Sequence, residues 1–184
     1  MQHPFAVGKK VYLRGLERAD QKDLLVWAND AEVTYYMFLG AFPANIELLE
    51  KEYEQLVNNR NDVAMAIVDK KTDSHVGNVG LYAINWITRS AEFRIIIGLK
   101  DYWSKGYGTE ATELCLDYGF NKLNLNRIFL GTNAEHKAAI RCYEKAGFKH
   151  EGGLRQEMFR HGVYSDVVQM GILKSEYQAA AEKK

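Results

Sequence analysis

Two prolines and two cysteines are all that the 184 residues hold of either type, and basic and acidic side chains balance at 24 each. Each scarcity excludes something. Without an excess of positive charge the chain lacks the usual mark of a nucleic-acid or polyanion binder, although a local basic patch is still allowed. No apolar run is long enough to cross a bilayer, so no membrane partner is expected. The opening MQHPFAVGKK lacks the apolar stretch of a secretory signal. Cys115 and Cys142 fall within helix-like patterns, which predicts buried free thiols and a cytoplasmic protein. The five histidines are scattered and form no ligand set, so no metal is expected.

There is likewise no repeat, no low-complexity tract and no Pro- or Ser-rich linker. A single domain over residues 1–184 is expected, and a chain of this length buries roughly 70% of its unfolded surface. KKVYLRGL reads as a strand with Val11 and Leu13 alternating against polar neighbours. ADQKDLLVWAND reads as a short helix, and IELLEKEYEQLVNNR as a firmer one, capped by Asn45. DVAMAIVD and HVGNVGLYAIN read as a hairpin, and SAEFRIIIG as a further strand. ATELCLDYGFNKL and HKAAIRCYEKAG are helices on either side of the strand RIFLGTN. A long hairpin, GFKHEGGLRQEMF to VYSDVVQMGIL, closes the chain. The fold class is α+β: a mixed, mostly antiparallel sheet of about seven strands flanked by helices, parallel where a helix crosses over.

The segment DYWSKGYGTEA carries the first chemical signal. Gly106 and Gly108 precede a helix whose first N–H groups lack partners, and Lys105 adds a positive charge. Such a loop can cradle a phosphate, or it can be a plain turn. Spacing alone leaves both open, since neither the P-loop order nor the dinucleotide fingerprint is present. The second signal is NAEHKAAIRCYEKAGF. Here Ala139, Cys142, Tyr143 and Ala146 share a helical face that ends at Gly147, and Tyr143 is either a core residue or a hydroxyl donor beside the loop.

With both segments in order, the chain resembles the GNAT superfamily of acyl-CoA-dependent N-acetyltransferases. The likeness is to the branch of ribosomal-protein alanine and spermidine N-acetyltransferases. It runs from VYLRGLERAD to VYSDVVQMGIL and is most specific between INWITRSAEFRIII and YEKAGF. The resemblance implies acetyl-CoA as cosubstrate, held by Trp103, Ser104, Lys105, Gly106, Tyr107, Gly108 and Thr109. The strand around Ile95, Ile96 and Ile97 would pair with the pantetheine arm. Where the family has an Asn contacting CoA this chain has His136, with Asn133 nearby to share the task. A leading Trp103 replaces the family's Arg or Gln. The acidic residues of spermidine acetyltransferases are absent at Gly80, Ala83 and the turn FLGAF, which speaks against a polyamine.

The implied reaction is direct attack of a primary amine on the thioester. Glu92 is the candidate base, acting directly or through a water, unless Arg94 takes up its charge. A backbone N–H near Ile97 would hold the oxyanion, and Tyr143 would serve the departing thiolate. Neither cysteine is placed as a nucleophile, because Cys142 lies about 100° around the helix from Tyr143. Acceptor contacts are expected from Tyr36, Phe38, Arg94 and Phe159. The acceptor is a protein N-terminal amine or a small amine; a polyamine is one alternative. Arg155 and Arg160 suit another, a nucleotide-linked amino sugar. A CoA-binding module that has lost transfer is the reading of a different class. The closing strand VVQMGIL and tail KSEYQAAAEKK are the segments available for a homodimer contact.

Overall fold

The structure is a computed structural model that describes residues 3–181. Its strands are β1 (Ala6–Val7), β2 (Val11–Gly15), β3 (Val63–Asp69), β4 (His75–Asn85), β5 (Ser90–Ile97), β6 (Arg127–Asn133), β7 (Lys149–Arg160) and β8 (Val163–Leu173). They form one eight-stranded sheet in the order β1-β2-β3-β4-β5-β6-β8-β7. Every pairing is antiparallel except β5 with β6. The mixed α+β architecture is therefore as expected. The extra strand is β1, whose two residues are too few for any alternation to show.

Two helices, α1 (Gln21–Ala28) and α2 (Ile46–Asn58), precede the central strands, and Asn45 caps α2 by accepting the Leu48 N–H at 2.8 Å. Helix α3 (Tyr107–Asp117) makes the crossover from β5 to β6, and α4 (Lys137–Ala146) leads into β7. The main core lies between the sheet and α3, where Leu13, Ile67, Leu81, Phe93, Ala111, Cys115 and Ile128 are all buried. The other face carries a small cluster of Tyr12, Ala66 and Val68.

That second cluster corrects the reading of β2. Val11 and Leu13 do face the core, but Tyr12 and Arg14 are buried too. Arg14 is tolerated there because its guanidinium makes two 2.8 Å bonds to the buried Asp20 carboxylate. The face assigned to α4 also divides. Ile140 is buried and Tyr143 and Ala146 pack on the core, whereas Ala139 and Cys142 turn to a groove. Helix α5 (Lys174–Ala181) was read only as a tail, because alanines and one tyrosine give almost no apolar pattern. The packing of Tyr177 on Phe120, with ring centroids 5.0 Å apart, fixes it. Strand β8 is paired on both sides, so the closing strand offers no free edge. No helix among the described residues is long and apolar enough to cross a membrane.

The feature that positions the site is the join between β5 and β6. Only Ser90, Ala91 and Glu92 pair with β6, opposite Arg127, Ile128 and Phe129. Beyond Glu92 the strands part, while β5 stays paired with β4 through Ile97 opposite Gly77. One edge of residues 95–97 is therefore left without a strand.

Candidate active site

The split opens into a groove of about 1510 Å³ that passes across the sheet. Ile95, Ile96 and Ile97 form its floor, α3 and α4 one wall, and the α1–α2 region the other. An unpaired strand edge within a groove is a template for an extended ligand carrying amide groups of its own.

The glycine loop closes one end. Trp103 donates its indole N–H to the Ile97 carbonyl at 2.7 Å, which ties the loop to the last residue of β5. Ser104 has φ +56° and Gly106, the N-cap, φ +86°. Left-handed residues at alternate positions curl a chain so that its N–H groups converge. The first ladder bond of α3 runs from the Glu110 N–H to the Gly106 carbonyl at 3.1 Å, so the N–H groups of Tyr107, Gly108 and Thr109 precede the ladder. A Cβ on Gly108 would lie 3.7 Å from Ile97 Cγ1 and 3.9 Å from Cys142 Sγ, ordinary contacts. The protein's own packing therefore does not demand glycine there, and the glycine leaves the backbone open to the groove.

Not every predicted loop residue points inward. The Lys105 side chain is exposed and outside the groove. Tyr107 turns its ring onto Tyr102 and its hydroxyl to Asp69 at 3.3 Å, so it offers the groove its backbone alone. Thr109 lines the groove and holds Cys142 Sγ at 3.3 Å. Burial pushes the thiols of both Cys142 and Cys115 up, so neither is poised as a thiolate.

Tyr143 is half-buried on the groove wall, its ring edge-on to Phe93 at 6.0 Å and to Phe148 at 5.9 Å. Burial pushes its phenol well above the ordinary tyrosine range, so the neutral, donating form is the one present. Glu92 and Arg94 also line the groove, as an ion pair with Nε–Oε1 3.0 Å and Nη2–Oε2 2.7 Å. Arg94 also lies over the Tyr82 ring at 4.8 Å. The competitor foreseen for the Glu92 charge is thus its partner in the structure. Each carboxylate oxygen keeps a second lone pair beyond the one Arg94 uses.

Three predicted contacts are corrected. Asn133 is buried and its amide is fully committed, donating to Ser165 Oγ at 2.8 Å and Met158 Sδ at 3.2 Å and accepting the Glu135 N–H at 2.8 Å. It fastens β6 to β7, β8 and the entry of α4, and is absent from the groove wall. Phe159 packs on Tyr164, 4.7 Å away, outside the groove. Arg160 gives Nη2 to the Thr34 carbonyl at 3.5 Å while its Nη1 is buried without a partner, so it is not displayed to a substrate anion. His136 does line the groove, but its ring stacks on Tyr36 at 4.5 Å rather than capping α4. Burial lowers its pKa, which favours the neutral ring. Tyr36 and His136 thereby form an aromatic partition, with Phe38 exposed beside it.

The fold also delivers groove residues that sequence reasoning missed. Glu52 and Asp62 come from α2 and the loop behind it, and Gln21 and Asn78 lie deeper. Gln21 is 2% exposed and its Nε2 has no hydrogen-bond partner among the described residues. Asn78 is held by His75 at 2.8 Å, and His75 in turn bridges to Asp23 at 2.8 Å. Asp20, Asp23 and His75 come within 4.8 Å, a grouping the scattered histidines gave no sign of, but Arg14 and Asn78 already engage it. No motif marks these residues, because only the packing of α1 and α2 on the sheet assembles them. The charge of the groove is uneven as a result. Helix α4 brings Arg141 and Lys145, while Glu32, Glu52, Asp62 and the Glu92–Arg94 pair come from the α1–α2 region and its neighbouring strands, and Glu157 from β7.

Residues 10–149 match the model of the acetyltransferase (GNAT) domain. The chain is 36% identical to an Escherichia coli spermidine N(1)-acetyltransferase over 169 residues, 92% of this chain and 89% of that one. A Vibrio cholerae spermidine N(1)-acetyltransferase is 34% identical over 176 residues, 96% and 100% of the two chains. The crystal structure of the Vibrio cholerae spermidine N-acetyltransferase in complex with CoA and spermine superimposes with a TM-score of 0.85 at 34% identity, covering 93% of this chain and 99% of that one. The split sheet, the cradle and this match together make the chain a member of the GNAT acetyltransferase family, an acetyl-CoA-dependent amine N-acetyltransferase.

Proposed function

We propose that the acceptor is a small linear polyamine, and that residues 1–184 act as one catalytic domain. The uneven charge of the groove carries this reading. The donor is anionic at its nucleotide end and suits the wall of Arg141, Lys145 and the cradle. The α1–α2 region and its neighbouring strands offer carboxylates to a polycation, and among the described residues Glu52 has no ion-pair partner. The lack of acidic residues at Gly80 and Ala83 is thus offset by carboxylates that a different part of the chain brings in. The names of the relatives point the same way. An amino-sugar phosphate finds less support, since Arg160 is turned to Thr34 and Arg155 lies outside the groove. A homodimer would use the exposed outer edge of β7.

In this reading residues 95–97 hold the donor's amide-bearing arm along their free edge, and the α3 N–H groups hold its pyrophosphate. An alkylammonium is neutral in only ~1 of 10³ molecules at pH 7, so a proton must leave before attack. Glu92 takes it through a water on the lone pairs that Arg94 leaves free. The amine attacks the thioester carbon and the Ile97 N–H side meets the oxyanion. The C–S bond breaks as the tetrahedral adduct collapses, and the second proton of the nitrogen passes to the departing thiolate, giving the amide and the free thiol. Tyr143 donates a hydrogen bond to the sulfur as charge develops. Burial raises the phenol, so full proton transfer from Tyr143 to the thiolate is uphill by more than the ~2 kcal/mol between the reference values, and the hydrogen bond is what Tyr143 contributes.

Thiol release from acetyl-CoA tests the acceptor. Spermidine and spermine should be turned over with kcat/KM at least tenfold above butylamine, glucosamine 6-phosphate and a peptide N-terminus. Equal or better use of any of these three would overturn the polyamine reading.

A further inference from the structure

The turn between β1 and β2 lies against the glycine loop, and nothing in the reaction so far uses it. Gly8 to Lys10 pack on the first turn of α3. The Glu110 carboxylate accepts the Lys10 N–H at 2.8 Å and the Val11 N–H at 3.3 Å, and a Cβ on Gly8 would lie 2.0 Å from the same oxygen. Any side chain there would push the Glu110 carboxylate out of this position. The contact draws the one acidic group of that helical turn toward the β1–β2 side and away from the cradle. Lys10 then reaches across. Its ammonium donates to the Lys105 carbonyl at 2.6 Å, lies 5.8 Å from the Tyr107 ring centroid, and would be 3.2 Å from a Cβ on Gly106. Tyr107 is itself anchored by Asp69 and Tyr102.

In a trans peptide the carbonyl and the following N–H point in opposite directions. With the Lys105 oxygen fixed on Lys10, the N–H of Gly106 is turned to the other side of that peptide, and Gly106 lines the groove. The loop carries left-handed backbone at Ser104 and Gly106, a conformation that persists only where its surroundings hold it. We propose that Lys10 is a positioning residue for the acyl donor: its ammonium pins the back of the loop so that the loop N–H groups face the donor's pyrophosphate. The positive charge also sits next to the cradle, so anion binding is favoured twice, by orientation and by field. This deepens the donor-binding part of the proposed function and does not depend on the acceptor.

Equilibrium titration of the full chain with CoA and with pantetheine, which has the same arm without the pyrophosphate, separates the possibilities. The unaltered protein should bind CoA more tightly than pantetheine. Lys10→Met keeps the backbone bond to Glu110 and should raise the Kd for CoA about tenfold. Its Kd for pantetheine should not change, and Lys10→Arg should recover part of the loss. An equal loss with both ligands would mean that Lys10 shapes the groove as a whole, and would overturn the proposal. So would unchanged CoA binding by Lys10→Met. If the unaltered protein shows no preference for CoA, the cradle reading itself fails, a result distinct from failure of the Lys10 role.

Discussion

Removing the Tyr143 hydroxyl should slow transfer while leaving the protein as stable as before. The ring is packed between Phe93 and Phe148, and phenylalanine keeps both edge-on contacts. Its hydroxyl has no hydrogen-bond partner among the described residues, so Tyr143→Phe breaks no internal bond. The stability change should therefore stay within about 0.5 kcal/mol, the range of substitutions that disturb nothing. Catalysis is another matter. A hydrogen bond to a group that becomes charged is worth about 1.5–3 kcal/mol, which converts to roughly a 10- to 150-fold loss in kcat. Because the bond strengthens only as the thiolate forms, the Kd for acetyl-CoA should hardly move. Thermal unfolding, equilibrium titration and steady-state thiol release measure the three quantities on one preparation. Unchanged kcat would refute the role given to Tyr143. A fall in kcat matched by a fall in stability or donor affinity would refute it as well, since the loss would then come from misplaced structure.

Three further outcomes concern the frame around the site. Desolvation pushes the Asp20 carboxyl up, but bonds from Arg14 and the Glu17 N–H, with His75 nearby, outweigh it and leave the group below its usual value. Its stabilisation is thus full above the unfolded value of about 3.9 and is lost as pH falls through the lower folded value; the acid limb of a Tm-versus-pH curve should show this. Asp20→Asn should remove that component and cost about 3–5 kcal/mol at neutral pH, and a neutral result would refute the pairing. Gln21→Leu should stabilise by about 1–3 kcal/mol, because it removes a buried Nε2 without a hydrogen-bond partner among the described residues, and a lower urea midpoint would contradict this. Gly98→Ala should destabilise by about 1–3 kcal/mol, since a Cβ there would meet the Trp27 ring at 1.8 Å; an unchanged unfolding midpoint would show that the indole yields freely.

Local features were legible in the sequence, and assemblies of distant residues were not. The Asn45 cap, the left-handed Gly147 and the β7–β8 hairpin each depend on neighbours in the chain, and each was read correctly. The loop was legible as a site through resemblance, but which atoms face inward was not. Tyr107 looks like a ligand side chain until Asp69, distant in sequence, claims its hydroxyl, and Lys105 meets Lys10 through its carbonyl while its side chain stays outside the groove. Asn133 fails for the same reason, since Ser165 and Met158 reach it from the far hairpin. The acidic wall was misjudged because carboxylates were sought at the family's positions, whereas Glu52 and Asp62 enter only once α2 packs beside the sheet. Buried Tyr12 and Arg14 show the limit of alternation: a strand covered on both faces carries no period of two.

The short join between β5 and β6 has a mechanical consequence. Among the described residues, three paired positions are the only strand-to-strand link between the part of the sheet holding β1 to β5 and the part holding β6 to β8. Donor laid along residues 95–97, as proposed above, would lengthen that seam and stiffen it, making the cosubstrate a brace as well as a reagent. The acidic wall stands beside β5 and Tyr143 projects from α4 beyond the seam. Their spacing is held in the meantime by the core common to both sides, where Phe93 of β5 meets the Tyr143 ring, so the brace would add stiffness to a distance that packing already sets.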